Sequence, residues 1–149
     1  MNMASRKKHT SKGAEHFAKL TRRMMETPAW KAVSPTAQAL YPWLKFEFKG
    51  PKFNNNGKIN LSVRQAADRL GVTKNTAVKA FHDLQAKGFI VATEVGHLGF
   101  AGHGRSTSYE ITEISLPHAT AEDGRRLYLE WREGKDFEVK LAPSKAVKK

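Results

Sequence analysis

Thr73, Lys74, Asn75, Thr76, Val78, Lys79 and His82 fall within ten consecutive residues. At helical spacing they present the side chains that nucleic-acid recognition uses. Lysine donates to the O6 and N7 of guanine, and asparagine pairs bidentately with the N6 and N7 of adenine. Lys74 and Asn75 stand in the opening turn, where backbone N–H groups lack intrahelical partners and favour phosphate. They are the expected base readers, with Thr73, Thr76 and Lys79 placed for phosphates and Val78 and His82 on the same outward face. Ala77, Ala80, Phe81 and Leu84 recur on the opposite side and define the face turned to the core. The plainer alternative is a charged helix face that is only solvated.

Two further groups extend this chemistry. His97, His103, Arg105, Ser106 and Thr107 lie in a glycine-rich stretch whose small residues let a loop approach a duplex closely. Arg105 is suited to a narrow, A·T-rich minor groove, where the potential is most negative. Ser106 and Thr107 are expected to hold flanking phosphates. Arg6, Lys7, Lys8 and Lys12 form a basic arm with no acid among the first twelve residues. Such an arm meets phosphates rather than bases, or else serves only solubility.

Other chemistries do not assemble. Gly96, Gly99, Gly102 and Gly104 lack the Gly-Lys-Ser/Thr ending of a phosphate loop and precede a strand pattern. His97 and His103 have no third ligand at metal-binding spacing. Ser106, Thr107 and Ser108 match no nucleophile motif. Glu122 and Asp123 follow Thr120, where acids stabilise a helix start. Trp30, Trp43 and Trp131 read as core anchors. The chain has no cysteine, which excludes disulfides, thiolate zinc sites and thiol catalysis. No enzyme, cofactor or metal is expected.

Positioning these residues requires a particular order of elements. Residues 1–14 read as a disordered basic arm. A short helix is expected from about Glu15, with Phe17, Leu20 and Met24 on one face. Thr27-Pro28 and Ser34-Pro35 are two helix starts, each a capping hydroxyl followed by proline. The second opens a helix carrying Ala37, Leu40, Tyr41, Leu44 and Phe48, which Pro42 should kink or shorten. Residues 49–57, with Gly50-Pro51 and Asn54-Asn55-Asn56-Gly57, form a loop, and residues 58–61 a short strand. Ser62 and Gln65 make a capping box for a helix over 63–70. Gly71-Val72-Thr73 is a turn, and Thr73 caps a helix over 74–87 ended by Gly88. Strands over 89–95 and 108–114 flank the glycine-rich loop as a hairpin. A further helix is expected over 121–132, with Leu127, Tyr128 and Trp131 as its apolar face.

The 149 residues, 40% hydrophobic, fit one domain. Net charge is +12, and the two termini supply much of it: Lys140, Lys145, Lys148 and Lys149 also lie in an acid-free stretch. That balance points to a polyanionic partner. No apolar run is long enough for a membrane span, and the N-terminus lacks the apolar core of a secretory signal. A cytoplasmic, nucleoid-associated protein with no membrane partner is the expectation.

The stretch SVRQAADRLGVTKNTAVKAFHDLQAKGFI resembles the winged helix-turn-helix of GntR-type regulators and of phage and plasmid replication or regulatory proteins. TPAWKAVSPTAQALYPWL followed by NNNGKINLS is similar to a group of phage-type and mobile-element proteins of that architecture. The resemblance covers about residues 20–115. It implies a mainly α fold with a small β-sheet: a winged helix-turn-helix with an N-terminal helical extension and a two-stranded wing. Residues 15–115 would form that domain, 116–139 a C-terminal helical extension and 140–149 a disordered basic tail. It also implies binding of double-stranded DNA with sequence preference, as a transcriptional regulator of a phage or mobile element. Replication initiation or an accessory role in excision is the alternative within that chemistry, and a protein–protein adaptor the alternative outside it. A homodimer on a palindromic site is compatible with either DNA role. GntR-type proteins carry an effector domain after this module. Residues 116–149 are too few for one, so ligand-controlled repression of that kind is not expected.

Overall fold

Each helix begins on a hydroxyl that accepts the N–H three residues ahead, which satisfies a donor the helix itself cannot. Thr21 caps α1 (Arg22–Met25), Thr27 caps α2 (Pro28–Ala32) and Ser34 caps α3 (Pro35–Phe46). Ser62 caps α4 (Val63–Leu70) within a full capping box, and Thr73 caps α5 (Lys74–Ala86). The computed structural model describes residues 15–96 and 105–141. Arg6, Lys7, Lys8, Lys12, His97, His103 and residues 142–149 lie outside them.

The described residues combine these helices with a three-stranded antiparallel sheet in the order β1-β3-β2, a mainly α fold with a small sheet. β1 (Ile59–Asn60) pairs with β3 (Ser108–Ile111), which pairs with β2 (Ile90–Glu94). The hairpin expected to stand as two strands therefore has a third. The register places Ile59 and Ala92 on either side of Tyr109, with an irregularity between Ala92 and Glu94.

Three local expectations are corrected. The helix expected from about Glu15 starts at Arg22, because Thr21 is extended and caps it. Phe17 is 76% exposed and shares no buried face with Met24. α3 runs through Pro42 without interruption. Leu40, Tyr41 and Leu44 are all fully buried, and their burial outweighs a proline penalty of about 3 kcal/mol. The helix expected over 121–132 is absent. Gly124 lies against the Thr112 carbonyl and the Ile114 backbone, Arg126 takes a left-handed φ of 50°, and only a 3-10 turn forms at Leu127–Glu130.

That last segment nevertheless completes the core. Phe89 is fully buried, edge-on to Trp30 (5.4 Å between centroids) and Tyr41 (5.6 Å), and stacked on Tyr128 at 4.7 Å. Beyond the turn the chain runs back along α5. Phe137 N donates to the Ala86 carbonyl at 2.8 Å. The buried Gln85 amide accepts from Lys140 N at 3.0 Å and donates to the Lys140 carbonyl at 3.4 Å. Lys140, expected at the start of a disordered tail, is thus held in place.

The asparagine run is more than a chain breaker. Buried Asn56 accepts from Ile111 N at 2.7 Å and donates to the carbonyls of Ile111 (3.0 Å) and Ile114 (2.8 Å). Asn54 donates to the Ser115 carbonyl, and Asn55 bridges Lys49 N and the Glu47 carbonyl. Together they clasp the end of β3 where the ladder stops.

Alkaline pH should loosen this core. Burial, then the Glu113 carboxylate, raises the pKa of Tyr41, and the same two causes raise that of Tyr128. Burial pushes Tyr109 up to about 12, against an opposing hydrogen bond from Thr107. The folded phenols keep their protons where the unfolded chain, with tyrosine near pKa 10, releases them. Their contribution is complete below about pH 10 and is lost as pH climbs towards 12. Urea midpoints measured across that window should fall. A flat profile would show that the phenols are not differentially protonated.

Candidate nucleic-acid interface

α4 and α5 are joined by the turn Gly71-Val72-Thr73, whose glycine adopts φ 69°, ψ 37°. That left-handed conformation is open to glycine at little cost. Small residues, Ala66 and Ala67 on α4 and Ala77 and Ala80 on α5, are buried and let the helices approach. Phe81 stacks on Tyr109 of β3 at 5.4 Å, which fixes α5 to the sheet. Asp83, the one acid of α5, sits in its second half. It is occupied by Ser34 N at 2.6 Å and Lys87 Nζ at 3.1 Å.

The first turn of α5 contains no acid, and Lys74, Asn75 and Lys79 are exposed. Among the described residues none of the three has a side-chain hydrogen bond or ion pair. Thr73 accepts Thr76 N at 3.2 Å, and the two hydroxyls lie 3.0 Å apart. Thr76 is therefore engaged with the cap rather than open to phosphate.

Val78 and His82 do not point freely outward. Both are half-buried and line a cleft of about 320 Å3 with Val63, Thr107, Tyr109 and Leu141. Burial lowers the His82 pKa and so favours the neutral imidazole. The same cleft brings together the start of α4, the middle of α5 and the residue preceding β3.

On the hairpin side the expected residues divide. Arg105 is exposed, with Glu94 across a polar cavity also lined by Asn60 and Ser108. Ser106 donates to Asn60 Oδ1 at 2.6 Å, which spends its proton inside the protein. Thr107 accepts Gly96 N at 2.9 Å and steadies Tyr109. The Ser106 proton is therefore not free for a flanking phosphate, while the Thr107 oxygen is engaged by Gly96 N. No protein-family model, curated protein or solved structure matches the chain.

Arg64, in the first turn of α4, is a further candidate that the sequence reading missed. It is exposed and has no ion-pair partner among the described residues. Its position one residue after Val63, which lines the cleft beside Val78, is the signal that could have identified it. Asn60 is the other, as the side chain that organises Ser106 and the Ser106 and Thr107 carbonyls. Among the described residues no group of three potential metal ligands occurs, and no helix is long and apolar enough to cross a membrane.

Proposed function

We propose that the chain is a winged helix-turn-helix protein that binds double-stranded DNA with sequence preference and acts as a transcriptional regulator of a phage or mobile element. One observation carries the reading. Lys74, Asn75 and Lys79 are exposed and, among the described residues, unpaired, on a helix whose first turn is free of acids, beside the hairpin that carries Arg105. In this reading Lys74 and Asn75 read base edges in the major groove, because the opening turn of the second helix reaches deepest there. Lys79 and Arg64 contact phosphates, and Thr73 sets the helix start against the backbone. The β2–β3 hairpin is the wing, with Arg105 as its one described cation. The resemblance of residues 20–115 to phage and plasmid regulators supports the regulatory role.

The test starts from a duplex selected out of a random library. Lys74→Ala and Asn75→Ala should each cost about 1–3 kcal/mol on that duplex and relax preference at one position. Lys79→Ala should weaken selected and random duplexes alike and flatten the dependence of affinity on salt. Equal losses on both duplexes for Asn75→Ala would remove it as a base reader. Absence of duplex binding at low salt would sink the whole reading.

A further inference from the structure

β3 runs from Ser108 to Ile111, and the chain beyond it carries Glu113 and Ile114 past the end of the strand. There the chain leaves a groove open. Phe46, Phe48, Pro51 and Ile114 line a cavity of about 700 Å3, bordered by Phe17, which is 76% exposed. Lys19 and Lys49 also line it, and no carboxylate does. Lys45, the remaining lysine, is already neutralised by Glu113 at 2.7 Å.

Lys19, Phe48 and Ile114 also border a second chamber of about 410 Å3, so the two adjoin. Arg23 and Arg126 face it. Arg126 Nε is buried without a hydrogen-bond partner, and its backbone is held at φ 50°. Three acids border this chamber as well: Glu113, which is committed to Lys45, and Glu122 and Asp123. Asp123 lies 3.4 Å from Arg126 Nη2, which leaves Nε unmet, and Glu122 is exposed. The guanidinium is thus only partly satisfied among the described residues, and its accessible edge can take a further acceptor.

We propose that this groove docks an acidic peptide segment of a second protein. An apolar side chain of the peptide sits on Phe17, Phe46 and Phe48, one carboxylate meets the accessible edge of the Arg126 guanidinium, whose side chain is 32% exposed, and Lys19 and Lys49 meet further acids along the rim. Charge selects the occupant. The chain's own ends, residues 1–12 and 142–149, are basic and contain no acid, so neither complements a lysine-rimmed groove. A duplex would find phosphate partners but no use for a floor of phenylalanines. The inference stands apart from the reading of α5, because the two faces share no residue.

Full-length protein is titrated with a fluorescent peptide of leucine and glutamate, and with the same peptide carrying lysine for glutamate. Backbone amide shifts map the contact. The glutamate peptide alone should saturate, shifting residues 46–51 and 113–115. Phe17→Ser, Lys49→Glu and Arg126→Gln should each weaken it about tenfold. Lys135→Glu, an equal charge change on an exposed hairpin, should leave it unchanged. Phe17 is so exposed that its replacement leaves the fold intact, which an unchanged Tm confirms. Three results overturn the proposal: no saturation, equal binding of the lysine peptide, or shifts confined to residues 73–82, where the peptide would merely imitate DNA. Displacement by a single-stranded oligonucleotide would reassign the groove to nucleic acid.

Discussion

Phe89→Ala should remove about 3–5 kcal/mol of folding free energy, a large part of the 5–15 kcal/mol typical of a domain. The ring is fully buried and meets Trp30, Tyr41 and Tyr128, so its loss opens a void bounded by three aromatic groups from α2, α3 and the 3-10 turn. Rigid rings collapse poorly into such a space, which places the cost at the upper end of the range. The urea midpoint should drop with little change in slope. Phe89→Leu keeps most of the volume and should lose no more than about half as much, which provides a measurable variant if the alanine form does not fold. A loss below about 1 kcal/mol for the alanine form would mean that the cluster is not the centre of the core.

Glu113→Ala should cost a comparable amount, about 3–5 kcal/mol, by a different route. Its carboxylate accepts from Lys45 Nζ and from the Tyr41 hydroxyl, both at 2.7 Å. The two side chains of the ion pair are only 9% and 10% exposed. Deletion strands a buried ammonium and a buried phenol, and the Lys19 carbonyl is the one acceptor left to the lysine. The double variant Lys45→Met/Glu113→Leu should recover much of the loss, because an apolar pair of similar volume has no charge to desolvate. A loss below about 1 kcal/mol for the single variant, the value of an exposed pair, would show that water reaches the bridge through the adjoining groove.

What could be read from sequence depended on how far away the deciding partner lies. Helix starts depend on a hydroxyl and an N–H three residues apart, so Thr27, Ser34, Ser62 and Thr73 were visible as caps. The turn at Gly71 and the buried face of Ala77, Ala80, Phe81 and Leu84 are equally local. Asn56 was not legible as a clasp, since its acceptors lie 55 and 58 residues away. Ser106 looked like a phosphate ligand because Asn60, which takes its proton, is 46 residues earlier. His82 sat on the outward side of the helical wheel, yet it is half-buried in a cleft that Tyr109 and Leu141, far along the chain, also line. The expected helix over 121–132 had apolar spacing in its favour, but close approach to Thr112 and Ile114 decided the backbone at Gly124.

α5 is fastened at its second half by strands of chain from both directions. Ser34 N reaches Asp83 across 49 residues, and Lys140 N reaches Gln85 across 55. Helical turns form in under a microsecond, whereas contacts so distant in sequence must first close long loops, at an entropic cost that local contacts avoid. The final seating of this helix is therefore governed by topology rather than by its own propensity. During synthesis the helix emerges well before the segment that secures it. Its exposed lysines are in place early, while their orientation is settled only when the last part of the chain has arrived.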